Sequence, residues 1–176
     1  GRVEKKLDIL KEHALNISYC AKCDGSLYNG KDVMLIGNNK ESENDAIYLS
    51  NIVNSLIYVN YSDDNVTFDK DNIKVINKKI SNLNVSDEII KTVTIDNKEY
   101  AIDGLFIENG YTPNIDFIKS LNIKLDNNYI VVDENMKTNI DGIYASGDII
   151  KKKVYQIVTA ASDGAVAALS IIKDLK

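Results

Sequence analysis

Two cysteines stand three residues apart in Tyr19-Cys20-Ala21-Lys22-Cys23-Asp24-Gly25, and the 176-residue sequence holds no others. At that spacing the second thiol lies one turn from the first, within disulfide reach. If Cys20 opens a helix, the free N–H groups there stabilise a thiolate. Asp24 adds a carboxylate beside the pair, a proton donor or acceptor for the moment a thiolate forms or leaves. Three chemistries compete. Zinc needs four ligands, and only His13 and carboxylates would complete the set. Two buried thiols would be inert packing. A redox pair would cycle between linked and free sulfur, and this reading is favoured.

Composition bounds the rest. The length suits one domain, or one domain plus part of another. An apolar share of 44% is enough for a packed core, and the net charge of -5 argues against a nucleic-acid partner. No apolar run approaches the roughly 18 to 20 residues that span a bilayer, so no membrane association is expected. The opening Gly-Arg-Val-Glu-Lys-Lys does not read as a signal peptide. A cytoplasmic address is the default, and in that compartment a structural disulfide is unusual.

The elements that must position the thiols follow the pair. Asp32–Gly37 is an apolar run ending in glycine, a buried parallel strand. Residues 41–54 carry Ala46, Leu49, Ile52 and Val53 at helical spacing, and 55–59 form a second strand. Strand, helix, strand within about 30 residues is a βαβ unit. Residues 73–80, 89–95 and 99–107 read as strands of a mixed segment, with turn signals such as Asp96-Asn97 between them. Beyond Pro113 the pattern predicts a short helix at 114–122, strands at 129–132 and 142–146, and a final helix from about 154 to 175.

Two glycine turns invite a ligand reading. Gly37-Asn38-Asn39-Lys40-Glu41-Ser42 sits where a βαβ nucleotide site carries G-x-G-x-x-G. Asn39 and Ser42 occupy the second and third glycine positions, and Glu41 in the first turn would repel a phosphate. Asp63 and Asp64 follow the second strand where arginines would serve a 2′-phosphate. The turn therefore reads as one that keeps the fold and has lost the nucleotide. The second turn is Gly147-Asp148. A glycine there admits close backbone approach to a ligand, and the carboxylate accepts hydroxyl hydrogen bonds. A small-residue helix start, Val154 to Ala168, follows it and offers positive potential to an anion; a plain packing turn is the equal alternative.

Together these pieces resemble the low-molecular-weight thioredoxin reductases, flavoproteins of the pyridine-nucleotide disulfide oxidoreductase group. The resemblance runs along almost the whole chain: Y-C-A-K-C-D-G, then D-G-L-F-I-E-N-G-Y-T-P-N at 103–114, then Y-I-V-V-D-E-N-M-K-T-N-I-D-G-I-Y-A-S-G-D at 129–148 and the helix after it. It implies an α/β fold: a Rossmann-like nicotinamide-type domain with a βαβ and mixed sheet at 1–112, and the C-terminal part of a split FAD-binding domain at 113–176. It implies Cys23 as the thiol nearest the flavin, Cys20 as the one that attacks the partner's disulfide, and Asp24 as the acid–base group. Gly147 and Asp148 would hold the ribityl and pyrophosphate of FAD, with Gln156 and Ile157 by the isoalloxazine ring. Thioredoxin or a similar small disulfide protein would be the substrate, and a homodimer the assembly.

This sequence departs from the family in three places. Tyr155 stands where an arginine usually precedes Gln156. The arginines and the intact glycine turn for NADPH are absent, which puts NADPH as a cofactor in question and makes ferredoxin the other donor. The family's opening FAD-binding βαβ has no counterpart here, so the resemblance implies a piece of a longer reductase. Such a piece would expose an apolar face and bind FAD weakly or not at all. A non-catalytic remnant that keeps the fold without turnover is the alternative reading.

Overall fold

The computed structural model describes residues 2–4 and 14–176. Strands β1 (Arg2–Glu4) and β2 (Ile17–Ser18) precede a single-turn helix, α1 (Ala21–Asp24). The expected βαβ unit follows as β3 (Asp32–Gly37), α2 (Lys40–Ser50) and β4 (Ser55–Asn60). Next come β5 (Ile73–Ile76), β6 (Asn82–Ser86), β7 (Ile89–Ile95), β8 (Lys98–Ala101) and β9 (Gly104–Glu108). The remainder holds β10 (Tyr111–Pro113), β11 (Leu125–Asp126), β12 (Tyr129–Ile130) and the long helix α3 (Ile157–Asp174). No helix among the described residues is long and apolar enough to cross a membrane.

The chain divides between Gly110 and Tyr111 into two compact units, with β1 belonging to the later segment. In the earlier unit, five parallel strands lie in the order β2-β9-β3-β4-β5. Successive residues of β3 point to opposite faces, and both faces are buried. Val33 and Leu35 join α2 residues Ala46 and Leu49 in one core cluster. Met34 and Ile36 join Ile90, Val93 and Ile95 of the antiparallel β6-β7-β8 sheet in a second. Burial on two sides is why β3 reads as a continuous apolar run, each such side chain contributing about 1.5–3 kcal/mol. The hairpins β6-β7 and β7-β8 turn on Asp87-Glu88 and Asp96-Asn97, all with positive φ, as two-residue hairpin turns require.

In the later unit β10 pairs antiparallel with β1, and β11 with β12 across Asn127-Asn128. Ile118, Ile123, Ile130, Ile149 and Ile150 form its core cluster. Along α3, Ile157, Val158, Leu169 and Ile172 are exposed, as is Leu175 just after it.

Several elements differ from the sequence reading. The expected 99–107 strand is two strands, because Asp103 turns the chain out of the ribbon and into the parallel sheet. Its N–H donates to the Asp32 carbonyl (2.7 Å), and its carboxylate accepts the Asp32 N–H (2.9 Å). The 73–80 strand stops at Ile76. The 114–122 helix is only a 3-10 turn, Asp116–Ile118. Residues 142–146 form no strand: among the described residues they make one isolated bridge, Lys137 to Tyr144, and a strand needs a paired neighbour along its length. The last helix starts at Ile157 because Thr159 Oγ1 accepts the Gln156 N–H (3.1 Å) and ends the extended approach.

Candidate redox site

Strand β2 delivers the thiols. It runs parallel to β9, with Ile17 opposite Leu105 and Ser18 opposite Phe106. Buried Asn16 anchors its start: its amide nitrogen donates to the carbonyls of Ile90 and Asp103, each at 3.0 Å, and its carbonyl side-chain oxygen accepts the Ile90 N–H at 2.9 Å. The chain then caps α1 with Cys20. The Cys20 sulfur accepts the Cys23 N–H at 3.2 Å, and the Cys20 carbonyl accepts the N–H groups of Cys23 and Asp24, each at 3.1 Å. The one-turn spacing of the sequence is thus a real helical turn, and the two sulfurs are joined in a disulfide with Cα atoms 5.2 Å apart. Cys20 is half-buried and Cys23 exposed.

Asp24 closes the same turn. Its Oδ2 accepts from the Ser18 hydroxyl at 2.7 Å, and Ser18 Oγ accepts the Cys20 N–H at 3.2 Å. One hydroxyl therefore ties the carboxylate to the backbone of the thiol loop. Among the described residues no cluster of three or more His, Cys, Asp or Glu is placed to hold a metal ion. His13, the residue a zinc reading would need, lies outside the described residues.

The structure adds a group that sequence reasoning missed. Glu108, at the end of β9, is only 8% exposed, and its Oε1 accepts the N–H of Ala21 at 2.9 Å. Ala21 is the residue between Cys20 and Lys22, itself fully buried. Burial pushes the Glu108 carboxyl up to about 7; the Ala21 N–H pulls it down, Asp45 and Glu41 of α2 push it up further, and Lys22 opposes. Lys22 is engaged elsewhere, 2.9 Å from the buried Asp45 carboxylate. The only sequence signal was a lone glutamate closing the apolar run Gly104 to Ile107.

A stability effect follows. The folded chain holds the Glu108 proton more tightly than an unfolded chain, where the group titrates at its ordinary value of 4.5. Its favourable contribution is complete below that value, is lost as pH rises toward about 7, and stays lost above it. At 1.36 kcal/mol per pKa unit the ionised form costs roughly 3 kcal/mol, and Glu108→Gln should recover roughly 1–2 of it at alkaline pH. Urea unfolding at several pH values checks this: the variant is more stable at pH about 8, with a flatter curve between about pH 5 and 7. Parallel curves for the two proteins would refute it.

The glycine turn after β3 is filled by the protein itself. A Cβ on Gly37 would lie 2.4 Å from Ser42 Oγ and 2.5 Å from the Tyr58 hydroxyl, and those two hydroxyls sit 2.9 Å apart. Asn39 caps α2, its Oδ1 accepting the Ser42 N–H at 2.9 Å, while Ser42 Oγ donates to the Asn39 carbonyl at 2.6 Å. Donors that a phosphate would use are thus met by side chains. Beyond β4, Asn60 ties its own loop, its amide donating to the Asp64 carbonyl at 2.8 Å and its Oδ1 accepting the Ser62 N–H at 3.0 Å.

The other sequence candidates lie in the later unit. Gly147 has φ +79°, a conformation that favours glycine, and Asp148 follows it in a 3-10 turn. Lys152 links this turn to α3. Its Nζ is 3.4 Å from the Asp148 carboxylate, 2.7 Å from Asp163 and 3.3 Å from Thr159 Oγ1. Lys152 and Asp163 were not singled out from sequence. Gln156 caps α3, and Ile157 beside it is 90% exposed. Tyr155 stacks with Tyr129 at 5.3 Å between ring centroids, and its hydroxyl donates to the Ile150 carbonyl at 3.4 Å. The thiol pair with Asp24 is thus assembled in one unit, and Gly147, Asp148, Gln156 and Ile157 in the other.

The chain is similar to several known proteins along nearly its whole length. A thioredoxin reductase from Mycoplasma genitalium is 37% identical over 99% of this chain and 61% of its own length. A protein from Clostridium pasteurianum, described as a 34.2 kDa protein in a rubredoxin operon, is 37% identical over 96% of this chain and 60% of its own. The chain spans about 60% of the length of the curated relatives it matches. Among solved structures, thioredoxin reductase from Streptococcus pyogenes superimposes with a TM-score of 0.89, 27% identity, and coverage of 99% of this chain and 63% of that one. A ferredoxin-flavin thioredoxin reductase from Clostridium acetobutylicum gives 0.57, 30%, 98% and 60%. The expected α/β fold with its Rossmann-like βαβ is therefore the fold the chain has. Residues 65–164, over half of the chain, match the family model for pyridine nucleotide-disulphide oxidoreductases, and the chain belongs to that family.

Proposed function

We propose that this chain carries the thiol half of a flavin-dependent thiol–disulfide oxidoreductase of thioredoxin reductase type. The observation that carries the reading is the Cys20–Cys23 disulfide capping α1 with Asp24 tied to the same turn through Ser18. Cys20, whose sulfur accepts the Cys23 N–H, is suited to persist as the attacking thiolate. Asp24 is placed to hold or release a proton beside the pair. The substrate is thioredoxin or a similar small disulfide protein.

Residues of the later unit fit a flavin. Gly147 and Asp148 would take the ribityl and pyrophosphate region, while Gln156 and the exposed apolar Ile157 at the start of α3 would lie against the ring. When bound, FAD supplies an electron pair to the disulfide. We assign the later unit, residues 111–176 together with β1, to the FAD-binding domain and the earlier unit, up to residue 110, to a nicotinamide-type domain, in place of the boundary at 112 expected from sequence. The exposed apolar residues of α3 are read as a side covered in the complete protein. The self-filled turn at Gly37, with Glu41 and Glu43 in the first turn of α2, disfavours a nicotinamide phosphate and favours ferredoxin as donor. A cytoplasmic homodimer is the form we expect.

The test is the protein made from its complete reading frame. It should copurify yellow with flavin and reduce a disulfide protein, and reduced ferredoxin should bleach the flavin far faster than NADPH. A colourless protein would leave only the non-catalytic remnant; rapid bleaching by NADPH would overturn the donor assignment.

A further inference from the structure

We propose that Glu108 is a positioning residue for the Cys20–Cys23 couple: its carboxylate holds the Ala21 N–H in the oxidised chain and takes up the proton that balances the charge left on Cys20 when the disulfide is reduced. The inference rests on the redox reading of the two cysteines given above.

The geometry carries it. Ala21 N–H belongs to the peptide bond that starts at Cys20, so the hydrogen bond from Ala21 to Glu108 ties the carboxylate directly to the residue whose sulfur caps α1. The two partners are 87 residues apart in the chain and both are buried, so the contact is set by the parallel pairing of β2 with β9 and not by local chain geometry. The charged groups that face Glu108 are Lys22 on α1 and Glu41 and Asp45 on α2. Lys22 is paired with Asp45 at 2.9 Å and does not meet Glu108 as a dedicated partner. The strand neighbour on the other side, Gly37 of β3, brings no charge. Glu108 is thus a carboxylate without a cation of its own, one peptide from a sulfur that becomes negative in the reaction. Glu108 is buried and Cys20 half-buried, so a negative charge appearing on the sulfur raises the proton affinity of the carboxylate.

The step balances as follows. Two electrons, from a reduced flavin or from a dithiol reagent, enter the disulfide, and the Cys20–Cys23 S–S bond breaks. One proton ends on the Cys23 sulfur, passed by way of Asp24. The Cys20 sulfur remains a thiolate, held by the Cys23 N–H. The second proton, from solvent, ends on Glu108. Reduction therefore takes up two electrons and two protons, and the charge of the site does not change. Above the pH at which oxidised Glu108 is already ionised, about 7, this uptake is separable from ordinary thiol protonation.

The experiment is a thiol–disulfide titration of the chain against dithiothreitol at a series of pH values between about 7 and 9, the slope of midpoint potential against pH reporting protons per electron pair. We expect two protons for the wild-type chain and one for Glu108→Gln. The amide oxygen of glutamine still accepts the Ala21 N–H, so positioning survives while titration is lost. Equal slopes would overturn the proposal. A second measurement needs no variant: the carboxyl carbon resonance of Glu108, followed by NMR in the wild-type chain, should titrate at higher pH after reduction. An unchanged midpoint would overturn the proposal too. Neither measurement uses flavin. A chain that shows the coupling while its complete form is colourless loses the flavin reading and keeps this one; a yellow, active reductase with equal slopes does the reverse.

Discussion

On the reading proposed above, the complete protein carrying Cys20→Ser will exchange no disulfide with a thioredoxin-like partner, and the one carrying Cys23→Ser will stall on that partner as a mixed disulfide. The reasoning starts from hydrogen bonds. A thiolate at position 20 keeps the Cys23 N–H at its sulfur, 3.2 Å in the oxidised chain, at the N-terminus of α1. The stabilised thiolate attacks, and the other thiol resolves the product. Removal of either sulfur should lower turnover by about 10³-fold or more, because the two act as one unit. Only the trapping pattern separates them. A single-cysteine partner whose thiol is first linked to thionitrobenzoate as a mixed disulfide should be captured by Cys23→Ser, with release of thionitrobenzoate and a shift on a non-reducing gel, and not by Cys20→Ser. Exposure alone argues the other way, since Cys23 is exposed and Cys20 half-buried. The reversed pattern would therefore make accessibility the deciding factor and reverse the two roles.

Gly104→Ala is the second large effect, and it acts on the scaffold under the thiols. Gly104 begins β9, which is buried along its whole length between β2 and β3. A Cβ there would sit 2.2 Å from Cε1 of Tyr28 and 2.7 Å from its Cζ. The half-buried ring also meets Phe106 edge-on with centroids 5.1 Å apart, which hinders its movement in that direction. Overpacking of this severity against the Tyr28 ring should cost about 3 kcal/mol. Tyr28 ends the 3-10 turn Gly25–Tyr28 that directly follows α1, so the same clash would press on the thiol turn. Urea denaturation measures the loss. Tyr28→Ala in the same chain makes room for the methyl, and the double variant should lose less than the sum of the two singles. A Gly104→Ala chain within about 0.5 kcal/mol of wild type would mean that the sheet shifts to accept the methyl.

The sequence alone determined whatever depends on near neighbours. The thiol spacing specified a helical turn, and Asp24 at its end was legible as a carboxylate adjacent to the pair. The run 32–37 announced a strand buried on both faces because a continuous apolar stretch has no solvent side. Asp96-Asn97 announced a hairpin because those residues tolerate positive φ. The loss of the second and third glycines in the turn after β3 was visible as well. Tertiary structure alone decided the rest. Ser42 and Tyr58, 16 residues apart, meet to fill that turn, and Lys152 gathers Asp148 and Asp163 only once α3 is folded back. Residues 142–146 alternate like a strand yet find no paired neighbour among the described residues. Glu108 was not singled out along the chain; the pairing of β9 with β2 buries it against Ala21 from 87 residues away. Backbone periodicity and turn chemistry are local energies and can be read along the chain. Burial, and the proton affinity it confers, belongs to whatever the fold brings alongside.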